Sequence, residues 1–342
     1  MSKRITLSDI AKELNVSNVT VSKALSGQKG VSEETRQKIK ELADKLGYKQ
    51  PSAVDRAKKD KSRNIGIIVP GRYFGIDNSF YWIMYQEVVT IAVNEGCFTM
   101  LEVINVEDEG KQELPKLVKE KKVDGIILIG RPKNGYIQKI REDSSIPMVC
   151  LDFFDDFNDC DSVISDGFYG TYMLTNYLFS MGHTDIAYVG TLLYTSSITD
   201  RYFGYAKSML EHGKKIPDEW IMDDRDWETE DVASFEVKFP KKMPTAFVCN
   251  CDLTASTLIK NLKKINYKVP DDISVVGFDN FLYPGLCDIG ITTYDVNVKE
   301  MARKSIRILM DRMNHVKLKH GVRIIQGEIV YKDSVKKLDN NA

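Results

Sequence analysis

The chain has 342 residues, 43% of them hydrophobic and 28% charged, which is too long for one small domain and apolar enough for sizeable cores. No run approaches the ~18 apolar residues of a membrane span, the first residues lack the apolar stretch of a signal peptide, and the six cysteines and four histidines show no zinc spacing. The net charge of −1 conceals a split: through Arg63 there are 15 Lys/Arg against 8 Asp/Glu, and beyond it 33 against 41. A basic head on an acidic body fits a protein that touches nucleic acid with one end only. A cytoplasmic chain with reduced thiols is expected, with no metal, no cofactor and no membrane partner.

Residues 5–48 read as three short helices. Leu7, Ile10, Ala11 and Leu14 recur at the spacing of a helical turn and give the first an apolar face. Asn15-Val16-Ser17 interrupts it. Asn enters the left-handed region cheaply, and Ser17 can cap a second helix carrying Val21, Ala24 and Leu25. Ser32 ahead of Glu33 and Glu34 caps a third, with acids where the helix dipole favours them. Ile39, Leu42, Ala43 and Leu46 close a miniature core, and Gly47 ends the helix. The pattern is that of a helix-turn-helix, whose second helix enters the DNA major groove. A plain three-helix domain is the competing reading. Against it, the outer face of helix two carries Asn18, Val19, Thr20, Ser22 and Lys23, short or polar and mostly uncharged, suited to base edges and phosphates.

After Gln50-Pro51-Ser52, residues 53–63 are charged and nearly devoid of large apolar side chains, either a linker or a hinge that orders on DNA. From Asn64 the texture changes. Apolar runs at 65–69, 98–104, 123–129, 148–151, 186–189, 246–249 and 274–278 alternate with helical periodicity at 80–94, 113–121, 170–179, 201–210, 253–265 and 299–313. Such alternation predicts parallel sheets covered on both faces, and roughly 280 residues predict two such lobes. Ligands of this architecture bind beyond the carboxyl ends of the strands, so the cleft between lobes is the candidate site.

The markers Leu7-Ser-Asp-Ile-Ala11, Val16-Ser17, Thr20-Val-Ser22, Val31-Ser-Glu-Glu-Thr-Arg36, Leu46-Gly-Tyr48, Ile65-Gly-Ile-Ile-Val-Pro70, Gly182-His-Thr-Asp-Ile-Ala187 and Val276-Gly-Phe-Asp-Asn280 follow one another in the order of one family. Across essentially its whole length the chain resembles the lactose-repressor/galactose-repressor (LacI/GalR) family of bacterial transcription regulators. The resemblance implies a helix-turn-helix head (1–50), a hinge (51–63) and a two-lobed body (64–342) of doubly wound parallel sheets, like periplasmic binding proteins. The first lobe would span about 64–165 and 296–318, the second about 166–295 and 319–342. It further implies a homodimer on a pseudo-palindromic operator, with half-sites about one helical turn apart, and a small-molecule effector, a sugar, controlling DNA affinity. Base contacts would fall on Asn18, Val19 and Lys23, phosphate contacts on Thr6, Ser17, Thr20 and Ser22, and hinge contacts on Ala53 and Lys58. Effector contacts would fall on Asn78, Phe80, Tyr81, Asp152, Phe153, Arg201, Trp227, Asp252 and Asp279.

Three departures stand out. Lys23 replaces an Arg common in the family, losing the planar fork for guanine. Lys58 stands where many members carry a Leu that wedges between base steps, so a less bent operator is expected. Asp166-Gly167 replaces the usual Asp-Asn. Carboxylates, an Arg fork and an aromatic face suit a polyol. A purine effector or a phosphorylated carrier protein is the alternative within the family. An enzyme on the same scaffold is the alternative outside it, but GxGxxG, P-loop, GxSxG and triad patterns are missing.

Overall fold

A computed structural model describes residues 7–46, 48, 63–74, 79–133, 135–155, 159–226, 232, 235–282, 284–316 and 319–338. The chain divides into two compact units, 1–62 and 63–342. All of the expected hinge but Arg63 lies outside the described residues, as does Gly47.

In the first unit, α1 (Leu7–Glu13), α2 (Asn18–Leu25) and α3 (Glu33–Lys45) close around Ile10, Ala11, Val21, Ala24, Ile39 and Ala43, all buried. Asn15 makes the turn out of α1 with φ of 49°, a conformation Asn adopts at little cost. Ser17 and Ser32 cap α2 and α3, their hydroxyls accepting from the amides of Thr20 and Thr35 at 3.1 and 3.3 Å. Arg36 adds a clamp that periodicity does not announce. From α3 its guanidinium donates to the carbonyls of Ala24 (3.0 Å) and Gln28 (2.9 Å), satisfying acceptors that the end of α2 leaves open.

The second unit alternates strands and helices: β1 (Arg63–Pro70), α4 (Ser79–Asn94), β2 (Cys97–Ile104), β3 (Gly125–Ile129), α5 (Tyr136–Asp143), β4 (Met148–Leu151), β5 (Asp161–Ser165), α6 (Gly167–Ser180), β6 (Ile186–Val189), α7 (Ser196–Glu211), β7 (Ile221–Met222), β8 (Ala246–Cys249), α8 (Asp252–Lys264), β9 (Ser274–Val276), β10 (Thr293–Asp295), α9 (Val298–Met313), β11 (Val322–Ile325) and β12 (Glu328–Val330). One lobe is built on a parallel sheet in the order β11-β5-β4-β3-β1-β2, the other on β7-β6-β8-β9, and β10 pairs antiparallel with β12. Strands β1, β3 and β4 are almost wholly buried, as expected of strands covered on both faces.

The chain passes between lobes three times: after Ser165, after Asp295 and at Gln326–Gly327. The third passage falls later than the boundary expected at 318, because β11 pairs in register with β5 and so belongs to the first lobe. The helix expected over 113–121 is only Lys116–Lys119, started by Pro115 and ended at Glu120.

Candidate functional site

On α2, Ser17, Asn18 and Val19 are exposed, while Thr20, Ser22 and Lys23 are half-buried. Val19 is 62% exposed, an apolar side chain offered to solvent beside two polar ones, fit for contact with a thymine methyl. The hydroxyls of Ser17 and Thr20 lie 2.9 Å apart, so the cap of the helix holds both in place. Thr6, Ala53 and Lys58 lie outside the described residues.

In the body, four of the expected effector residues come together from the two lobes. From α4, the Tyr81 hydroxyl donates to Asp152 Oδ2 at 3.0 Å, just past β4. Across from them, Arg201 on the first turns of α7 donates to Asp279 Oδ1 at 3.1 Å and to the Asn250 carbonyl. The Arg201 guanidinium also lies 3.9 Å from the centre of the Phe278 ring, a cation–π contact strengthened by burial. Its Nε remains without a hydrogen-bond partner among the described residues. Gly167 has a local reason: a Cβ there would stand 3.3 Å from Arg201 Cγ, so the glycine lets the arginine stem lie across the start of α6.

Asp152 and Asp279 take φ of 69° and 99°, left-handed conformations that cost a non-glycine residue about 1–3 kcal/mol and concentrate at functional sites. Burial pushes the Asp152 carboxyl up to about 6, with Arg201 and the Tyr81 hydroxyl pulling the other way. Burial pushes Asp279 to about 7; Arg201 opposes the rise and the charge of Asp152 reinforces it. Two desolvated carboxylates from opposite lobes therefore face one arginine.

Beside this group is a cavity of about 570 Å³ whose wall includes Phe80, Ile83, Asp279, Asn280, Phe281, Asp295, Asn297 and Glu328, within the range of small-molecule pockets. Glu87, Lys299 and Gln326 also reach it. Phe80 and Asp279 were legible as site residues; the contributions of 295–299 and 326–328 were not, because segments passing between lobes carry no periodicity.

Phe153, one step beyond Asp152, is 2% exposed and packs with Ile68, Leu128 and Cys150 in the core of the first lobe. The cap of α8 is Cys251, whose Sγ accepts from the Thr254 amide at 3.4 Å. Asp252 occupies the first turn, buried against Gly277, its carboxyl raised well above the usual range by burial while a Thr293 hydrogen bond opposes the shift. The acidic stretch after Ile221 supplies a structural ion pair. Asp224, fully enclosed, accepts from Arg225, Thr254, Asn250 and the Thr191 amide, which hold its carboxyl far below the usual range although burial opposes this. Asn78 and Trp227 lie outside the described residues.

Comparison with known proteins accounts for both units. Residues 6–51 match the lacI family of bacterial regulatory proteins, and residues 175–335 match a periplasmic binding protein-like domain. The HTH-type transcriptional repressor PurR of Vibrio campbellii is 29% identical over 337 residues, covering 98% of this chain and 99% of that protein. Its namesake in Histophilus somni (strain 2336) is 30% identical over 339 residues, covering 97% and 99%. Among solved structures, the lac repressor dimer bound to operator and the anti-inducer ONPF superposes with a TM-score of 0.65 at 19% identity, covering 98% of this chain and all of that one. A LacI family transcriptional regulator from Enterococcus faecium with bound ribose gives 0.66 at 21% identity, covering 81% and 100%. Full-length identity to PurR repressors, a matching head and a matching body lead to one conclusion: the chain belongs to the lacI family of bacterial transcriptional regulators.

Proposed function

We propose that this DNA-binding repressor is controlled by an uncharged polyhydroxy ligand, a sugar, held between the lobes of its body. The observation that carries the reading is the composition of the 570 Å³ cavity. Carboxylates of Glu87, Asp279, Asp295 and Glu328 and amides of Asn280, Asn297 and Gln326 offer acceptors and donors to adjacent hydroxyls, and Phe80 and Phe281 offer faces to sugar C–H groups. Among the described residues of the wall, Glu87, Asp295 and Glu328 outnumber the cation Lys299, which disfavours phosphorylated sugars. The ribose-bound relative supports a sugar. The same two phenylalanines could stack on a purine, which is the second reading; an effector that is a phosphorylated carrier protein would bypass the cavity altogether.

A homodimer places two heads on a pseudo-palindromic operator, with Asn18, Val19 and Lys23 at base edges and Ser17, Thr20 and Ser22 at phosphates. The protein acts in the cytoplasm and leaves its ligand chemically unchanged. A ligand that prefers one lobe arrangement by roughly 100-fold shifts the DNA-competent population by ~2.7 kcal/mol. Release of operator on binding is the expected direction.

The test is a thermal-shift screen of the full chain against neutral sugars, their phosphates and purine bases, since a ligand of the folded state stabilises by mass action. A neutral sugar should raise the melting temperature, and its phosphate should not. Arg201→Ala and Asp295→Asn should each lose the shift while operator affinity persists. A shift with purines alone would replace the sugar reading, and a shift retained in both variants would put the ligand elsewhere.

A further inference from the structure

Cys150 and Cys160 take no part in the site described, yet their Sγ atoms lie 3.0 Å apart, only about 1 Å more than an S–S bond. Cys150 is the penultimate residue of β4, two before Asp152, and Cys160 immediately precedes β5, so the pair spans the segment that presents Asp152 to the cleft. Both thiols are reduced and buried, Cys160 4% exposed and Cys150 fully enclosed. Both lie within the apolar cluster of the first lobe, where burial raises the Cys150 thiol well above the usual value. Cys160 lies near Arg141, which reaches over from α5 to pair with Asp155 and Asp159. Cys160 keeps 4% of its surface exposed while Cys150 keeps none, so a peroxide reaches Cys160 first.

We propose that Cys150 and Cys160 form an oxidisable dithiol, closed to an intramolecular disulfide by a peroxide, which fixes the Asp152 segment and alters the response to effector. In the first step the Cys160 thiolate attacks a peroxide oxygen; the O–O bond breaks, sulfenic acid forms, and hydroxide leaves to take up a proton as water. In the second, Cys150 sulfur displaces the sulfenic oxygen, which departs as a second water with the thiol proton, leaving the S–S bond. Two electrons pass from the thiols to the peroxide. A dithiol reductant reverses the change by exchange, as suits a transient disulfide in a reducing compartment. The proximity of the two sulfurs is independent of the effector reading. Only the consequence for ligand binding rests on the assignment of Asp152 above.

The experiment uses the full chain treated with hydrogen peroxide, alkylated under denaturing conditions and mapped by mass spectrometry. Peptides carrying Cys150 and Cys160 should be recovered crosslinked and about 2 Da lighter than the sum of their reduced forms, and dithiothreitol should restore both alkylation sites. In Cys150→Ser, the sulfenic acid stranded on Cys160 should be trapped by dimedone, and Cys160→Ser should give neither product. Full alkylation of both cysteines after treatment, or their conversion to sulfinic acid without a crosslink, would overturn the dithiol. For the consequence, the neutral sugar that stabilises the reduced protein is titrated against the oxidised one. An affinity changed by at least about threefold, and restored by dithiothreitol, is expected. A crosslink with unchanged sugar affinity would remove the regulatory half, whereas no sugar response in either state would count against the effector reading.

Discussion

At the scale of single residues, the cleft holds carboxylates short of positive charge. Asp279, pushed by burial up to about 7, binds more protons folded than unfolded between the usual aspartate range and that value. Its contribution is therefore greatest at low pH and is lost as pH rises through 7. Asp152, raised to about 6, acts in the same sense lower on the scale. His183, lowered by burial, acts in the opposite sense, since its unfolded form takes up a proton first. The clean readout is thus a difference: between pH 8 and pH 6 the wild type should gain about 1 kcal/mol relative to Asp279→Asn, measured by denaturant titration without ligand. Equal pH slopes in the two proteins would show that Asp279 titrates normally. Of these residues, Asp152, Arg201 and Asp279 were legible because each follows a strand or opens a helix at the carboxyl end of a sheet. Phe153 turns inward because the left-handed backbone of Asp152 breaks the alternation of β4, so that Phe153 packs with Met148 and Cys150 rather than with Val149 and Leu151. The cap of α8, Cys251, was not legible because cysteine is a residue type seldom used for that purpose.

At the scale of elements, the head was readable almost entirely, since its three helices need only periodicity, two serine caps and one Asn turn. What periodicity could not show is the link between α2 and α3 through Arg36, a contact of a charged side chain with backbone carbonyls. Charge-assisted hydrogen bonds of this kind contribute about 1.5–3 kcal/mol each. Arg36→Met keeps the aliphatic stem and removes the donors, so it should destabilise the head by an amount in that range and weaken operator binding, while sugar-induced stabilisation of the body persists. A head that melts unchanged would reduce the clamp to a surface contact. In the body, strands β1, β4, β6 and β8 were legible as continuous apolar runs. Strand β5 was not: Asp161-Ser-Val-Ile-Ser165 is half polar, and its buried Asp161 is tolerated because Arg312 Nε donates to it at 2.7 Å from α9. Such a strand is specified by partners 150 residues away rather than by its own composition.

At the scale of the whole body, control by a ligand requires two lobes that change their arrangement as units, and the three passages between them decide how. The second and third are in intimate contact. The Gly327 amide donates to the Tyr294 hydroxyl at 2.7 Å, and a Cβ on Gly327 would fall 1.9 Å from the Asp295 carbonyl oxygen. Only glycine lets the third passage lie directly on the second, and both border the cavity through Asp295, Gln326 and Glu328. An added methyl cannot be absorbed by rotating a side chain, because what it meets is backbone. Gly327→Ala should therefore part the two passages, lowering body stability by about 1–3 kcal/mol and weakening sugar binding several-fold, while operator affinity persists. The variant would then repress but respond poorly to ligand, as a separation of sensing from DNA binding requires. Gly110→Ala is the control: it ends a short helix with no neighbouring atom within 4 Å of the added carbon, and helix propensity favours the change. Thermal unfolding and sugar titration of the two variants side by side decide the matter. If Gly327→Ala responds to ligand as the control does, the contact between passages is packing alone, and the lobes must be coupled through the Tyr81, Asp152, Arg201 and Asp279 group instead.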